Sequence, residues 1–177
     1  MSGKLTVVPS LLKTNRSFRS LTISSRDLPD ETLMELIGMC ENSLEHLRLL
    51  GSCRLGSEAM STICRCPKLK HLCVDGAGFK DSHMEELVSN APHLITLELL
   101  RGCSLTDDGL AHICGFRRLQ KLCLSAASRL SSRAKCSLAG ILSLRELFLE
   151  ETFLSNNFLQ SMINLKDLRV LGGVVDG

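Results

Sequence analysis

Apolar residues recur along the chain in pairs three apart, and the pairs themselves repeat. Leu44/Leu47, Leu69/Leu72, Leu94/Leu97, Leu119/Leu122 and Leu144/Leu147 each begin 25 residues after the pair before. Phe18/Leu21 precedes the first by 26, and Leu165/Leu168 follows the last after 21. Within each unit, as in the stretch from Leu94 to Leu99, the fourth and sixth positions are apolar between polar neighbours. That alternation predicts a half-buried strand. Small residues follow, at Gly51 to Cys53, Asp75 to Gly78 and Arg101 to Cys103, and predict a turn. Helical spacing comes next. Thr106 before Asp107, Asp108, Leu110 and Ile113 reads as an N-cap with acidic first-turn residues. Asp81 before Met84, Leu87 and Val88 reads the same way, as does Asp30 before Leu33, Leu36 and Ile37.

A strand-turn-helix unit of this length cannot bury its own apolar face and must stack on its neighbours. The predicted fold is therefore α/β, a solenoid of about six to seven repeats over residues 18–177. Residues 1–17 are the tail of a partial repeat or an N-terminal edge, with Lys4–Val8 as a candidate extra strand. Helices need ~8–10 Å between axes, whereas strands pair at ~4.8 Å. The stack should curve into an arc or horseshoe, with parallel strands on the concave face and short helices on the convex face. Solenoids normally carry polar caps at both ends. The chain stops just after the strand-like stretch at Val170, so an end is expected to meet a partner, a second copy or the rest of a larger protein.

Composition narrows the function. Of 177 residues 44% are hydrophobic and 23% charged, the balance of a soluble folded domain. Aromatics make up 3%, with no Trp or Tyr, which leaves little for stacking nucleobases. A net charge of +2 gives no global attraction to nucleic acid or anionic membrane. No apolar run approaches the ~18 residues of a membrane span. Nine cysteines is an odd count with no export signal. Cys53/Cys103 and Cys73/Cys123 occupy repeated positions, so they read as free thiols of an intracellular protein. No Gly-rich phosphate loop, GxSxG turn or HExxH occurs. His71 and Cys73 beside His46 make a conceivable thiolate–imidazole or metal grouping. Yet Cys64 should face the helix side while Cys73 faces away, and no catalytic, cofactor or metal residues are assigned.

The outward strand positions form three rows. The central row reads Thr22, Arg48, Cys73, Glu98, Cys123, Phe148 and Arg169. One flank reads Ser20, His46, His71, Thr96, Lys121, Glu146 and Asp167, and the other Ser24, Leu50, Asp75, Leu100, Ser125, Glu150 and Leu171. Charge is graded, with His46, Arg48 and His71 toward one end and Glu146, Glu150, Glu151 and Asp167 toward the other. Phe148 stands as an outward aromatic beside Glu146 and Glu150, the kind of anchor that dominates interfaces. The expected partner-binding residues are Arg48, His71, Asp75, Glu98, Leu100, Glu146, Phe148, Glu150 and Arg169. The partner should be a protein, acidic opposite Arg48 and basic opposite Glu146 and Glu150, with nucleic acid and membrane excluded. Arg117, Arg118, Arg129 and Arg133 read as a solvated rim.

The stretch from Leu94 through Leu105, Thr106, Asp107 and Asp108 to Leu110 resembles the cysteine-containing leucine-rich repeat, LxxLxLxxC followed by a (Leu/Ile)-Thr-Asp helix start. Leu44 to Met60 matches more loosely, with Leu55, Gly56 and Ser57 at the helix start. Cys53 and Cys103 fall one residue later than in the family. The resemblance covers roughly residues 18–171 and implies a right-handed, ribonuclease-inhibitor-like leucine-rich-repeat solenoid. This subclass is familiar from F-box/leucine-rich-repeat proteins, so it also implies the substrate-binding part of a ubiquitin-ligase adaptor. About 17 residues before the first repeat leave no room for an F-box. The function expected is non-enzymatic protein recognition. The alternative is a structural subunit docked by an uncapped solenoid end in a larger assembly or homo-oligomer.

Overall fold

The computed structural model describes residues 18–24, 29–51, 55–76, 78–101, 104–125 and 130–175. The candidate strand at Lys4–Val8 and the turn cysteines Cys53 and Cys103 lie outside them. Strands and helices alternate along the chain: β1 Ser20–Ser24, α1 Asp30–Cys40, β2 His46–Leu50, α2 Ser57–Cys64, β3 His71–Asp75, α3 Asp81–Asn90, β4 Thr96–Leu100, α4 Asp107–Ile113, β5 Lys121–Leu124, α5 Ser132–Ser137, β6 Glu146–Leu154, α6 Asn156–Ser161 and β7 Val170–Val175. One turn of 3-10 helix extends each of the last two helices, at Leu138–Gly140 and Met162–Asn164. The seven strands form one parallel sheet in sequence order. The result is a solenoid-like α/β fold. Among the described residues no helix is long and apolar enough to cross a membrane.

The alternation sets which face is covered. Leu47, Leu72, Leu97, Leu122 and Leu147 lie in register across successive strands and are fully buried. A second buried row runs Leu49, Val74, Leu99, Leu124 and Leu149. Both join one core with the inward helix residues, among them Leu33 and Ile37, Met60 and Ile63, Met84 and Leu87, Leu110 and Ile113. The side chains between them point to the other, open face.

The last repeat departs from the expected register. The pair that continues the ladder is Leu168/Leu171, 24 residues after Leu144/Leu147, because Leu147 pairs with Leu171 and Phe148 with Gly172. Leu165 instead occupies the place of Ile141. Leu168 N–H donates to Leu165 O at 3.1 Å, as Leu144 N–H does to Ile141 O at 3.0 Å. Three leucines at three-residue spacing made the register ambiguous, and stacking selected the choice that keeps the repeat near full length. Asp167 and Arg169 consequently precede β7 and do not lie in the outward rows.

The helix starts are hooked to one another. The Asp30 carboxylate accepts Gly56 N–H at 2.9 Å. Asp81 accepts both Thr106 N–H at 2.9 Å and Thr106 Oγ1–H at 2.6 Å, and Asp107 accepts Ser131 N–H at 2.8 Å. In each case an aspartate in the first helical position binds the N-cap residue of the next helix. Thr106 is the N-cap expected, accepting from Asp108 N–H. Asp30 and Asp81 are not N-caps. Pro29 and Lys80 hold those positions, because the carboxylates serve the neighbouring repeat.

Between α2 and α3 the first helical position is Ser57, and a histidine of α3 takes over the aspartate's role as acceptor. His83 is 1% exposed. Its Nδ1 accepts Lys80 N–H at 3.1 Å, and its Nε2 lies 2.9 Å from Ser57 Oγ. An acceptor role at Nδ1 requires the neutral ring with the proton on Nε2. Burial holds the His83 pKa below the usual histidine value, as it does for His71. Unfolded histidine takes a proton near pH ~6.5, which the folded state resists. The unfolded chain therefore binds more protons below that pH, and stability falls with acidification. The thermal midpoint should drop between pH 7.5 and 5, and His83→Gln, which keeps the acceptor, should flatten that slope. An unchanged slope in the variant would show that His83 is not the responsible group.

Candidate functional site

The open face gathers most of the expected residues in register. His46, His71, Thr96, Lys121 and Glu146 follow one another across five strands, as do Arg48, Cys73, Glu98, Cys123 and Phe148. Cys73 and Cys123 are buried and floor the central row beneath longer neighbours. Burial pushes both thiols up to about 11, so neither is a thiolate near neutrality. The described cysteines, at positions 40, 64, 66, 73, 114, 123 and 136, are free thiols. Cys64 lies in the helix-side core, away from Cys73. Among the described residues no group of three His, Cys, Asp or Glu side chains is placed to hold a metal ion.

His46 and His71 stack in parallel, with ring centroids 4.3 Å apart and planes within 5°. Thr96 Oγ1 holds His71 Nδ1 at 3.0 Å. Desolvation and the neighbouring His46 and Lys70 keep the His71 pKa low. Arg48 is exposed and makes no ion pair among the described residues. Lys121 Nζ lies 2.6 Å from Glu98 and 3.9 Å from Glu146, and its pKa is raised first by the hydrogen bond to Glu98. Lys121 also sits 5.9 Å from the centre of the Phe148 ring.

Phe148 is half-buried, lying across the strand from Gly172. A Cβ at position 172 would come within 2.6 Å of the Phe148 ring. Glycine there gives the aromatic its seat. Glu150 is exposed and accepts a hydrogen bond from the buried Ser125 hydroxyl, which fixes its direction. Leu100 is half-buried.

Two expected residues stand elsewhere. Asp75 is 6% exposed. Its carboxylate accepts Arg101 Nε–H at 2.7 Å, pairs with a second guanidinium nitrogen, and accepts Gly51 N–H at 3.3 Å. It ties three successive turns together and is not offered to a partner. Arg169 leaves the central row, as the register of β7 dictates, and its backbone N–H binds Arg145 O at 2.7 Å. It belongs to a row one residue ahead of the strands, with Ile95, Gln120 and Arg145. That row corrects the graded charge, because Glu146 is flanked by Arg145, Arg169 and Lys121. Strand alternation overlooks Arg145, whereas Lys121 stands in the outward flank row without being counted among the expected partner-binding residues. The same period, read one position earlier, exposes Arg145.

These groups line two depressions. One of about 310 Å³ is bounded by Ser20, His46, Arg48, His71, Glu98 and Lys121, with Cys73 at its floor. The other, about 330 Å³, is bounded by His71, Thr96, Lys121, Arg145, Glu146 and Arg169. The two share His71, Thr96 and Lys121. No family model matches the chain, and no curated protein matches it.

Proposed function

We propose that the chain is a non-enzymatic protein-recognition module built as a right-handed leucine-rich-repeat solenoid, binding its partner through the open sheet face. The observation that supports this is the in-register array of outward side chains over a continuous aliphatic core. Unequal spacing of strands and helices bends such a stack so that the open sheet becomes the concave side. Recognition proceeds by shape and charge, with Phe148 as anchor, Glu150 as an oriented charge and Arg48 as an exposed one. The resemblance to cysteine-containing repeats carries the further reading of a substrate-binding part of a ubiquitin-ligase adaptor. Free thiols, most of them buried among the described residues, fit a reducing intracellular compartment. Sparse aromatic residues favour a protein partner over nucleic acid, and the reading includes no membrane contact.

Partner capture by the purified chain tests this. Phe148→Ala combined with Glu150→Lys should reduce capture at least tenfold, the scale of losing an interface anchor, with the circular dichroism spectrum unchanged. Undiminished capture would count against the patch.

A second reading, a structural subunit docked through the β7 end, is favoured by apolar exposure there. Val170, Leu171 and Val174 are 40%, 38% and 49% exposed, on a strand that is the edge of the described sheet. Sedimentation or size-exclusion mass rising with concentration would support end-to-end docking over concave recognition.

A further inference from the structure

Resting on the recognition reading, the joined depressions define what the strand-entry flank of the open face accepts. Their walls carry four permanent cations, Arg48, Lys121, Arg145 and Arg169, against two carboxylates, Glu98 and Glu146. Lys121 holds Glu98 at 2.6 Å and lies 3.9 Å from Glu146. Arg48, Arg145 and Arg169 are exposed and have no carboxylate partner among the described residues. Arg145 and Arg169 follow each other across β6 and β7, so two like charges stand side by side. Such a pair is costly until an anion bridges it, and planar guanidinium groups match carboxylates through paired hydrogen bonds. Between these arginines and Arg48 lie the stacked histidines.

We propose that this groove, running from Arg48 past His46, His71 and Lys121 to Arg145 and Arg169, docks an acidic stretch of a protein partner. The groove is elongated and open to solvent, and it spans several strands spaced ~4.8 Å apart. An extended peptide fits that length better than a single small anion. Carboxylates of the peptide pair with the arginines at each end, and its central portion crosses the histidines.

The histidines make the contact respond to pH. Around them stand Arg19, Glu45 and Arg48 from the β1–β2 side, Lys70 and Cys73 at β3, Glu98 on β4, and Lys121 on β5. Glu45 is held by Lys70 at 2.7 Å and lies 3.7 Å from Arg19, while Glu98 is held by Lys121. The carboxylates nearest the histidines, Glu45 and Glu98, are thus already paired with lysines, and the stacked His46 disfavours charging of His71. A bound acidic peptide supplies the missing negative charge. Binding is then coupled to proton uptake and tightens as pH falls toward the histidine range.

The probe is a fluorescein-labelled hexa-aspartate peptide, with hexa-asparagine as control, followed by fluorescence anisotropy at low ionic strength. The aspartate peptide should bind, and binding should tighten several-fold from pH 7.5 to 6.0, across the range where histidine titrates. Arg145→Glu with Arg169→Glu should weaken it at least tenfold. Arg48→Gln, a milder change at the other end, should weaken it less. His46→Gln with His71→Gln should leave binding at pH 7.5 and remove the tightening. Equal binding of both peptides, indifference to the arginine substitutions, or tightening that survives loss of both histidines would overturn the proposal. So would capture of a single-stranded oligonucleotide of equal charge in place of the peptide. Loss of partner capture in the Phe148/Glu150 variant alongside full capture in the Arg145/Arg169 variant would leave the recognition face standing and remove only this groove.

Discussion

Replacing Leu97 by alanine is expected to lower the unfolding free energy by about 3 kcal/mol, the usual cost of emptying a fully packed leucine site. Leu97 is fully buried in the central strand β4, in register with Leu72 and Leu122 on either side. The side chains on neighbouring strands are fixed by the sheet and cannot close over the gap. Its position also carries the loss to both neighbours, since each repeat is stabilised by the units it touches. Urea denaturation followed by circular dichroism measures the effect as a lower midpoint. Leu97→Met, which nearly conserves volume, should cost less than about 1.5 kcal/mol. A loss below about 1 kcal/mol on truncation to alanine would mean that the inward row is not packed as described.

Asp75→Ala is expected to destabilise by about 2 kcal/mol, as removal of a charged hydrogen-bond acceptor does at a buried site. Its carboxylate links the turn after β2, through Gly51, to the turn after β4, through Arg101. Arg101 adopts a left-handed φ of 50°, a conformation unfavourable for a side chain with a Cβ and held here by the bidentate pairing. Arg101→Ala should cost less, because the guanidinium is largely solvent-exposed and water replaces its partner. Asp75→Asn should fall between the two. At temperatures where Asp75→Ala remains folded, partner capture should match that of the unaltered chain. A selective loss of capture without loss of stability would restore Asp75 to the binding face.

The alternating strand and helix elements were legible because a 25-residue period and a two-residue alternation are both written in leucine. The in-register outward rows through β6 follow from the same arithmetic, including His46 beside His71 and Cys123 beside Phe148. Three features escaped it. Leu165, Leu168 and Leu171 satisfy two registers equally, and only stacking of the backbone on Arg145 decides between them. Asp75 alternates like an outward residue, but its burial depends on Arg101 reaching back across a strand, which no local pattern encodes. Asp30 and Asp81 look like caps of their own helices because the rule for capping is local, whereas their acceptors are used between repeats. The site divides in the same way. Phe148 and Glu150 were visible from position alone, while the Arg145 and Arg169 pair lay on a rim that strand alternation does not address.

The hooks between helix starts bear on how such an array could lengthen. Each of Asp30, Asp81 and Asp107 opens one helix and receives the amide that opens the next. A segment copied in tandem at this period brings along both halves of its own fastening, the carboxylate and the amide that meets it. Duplicates join without needing a newly evolved junction, and the opposite surface stays at liberty to diversify.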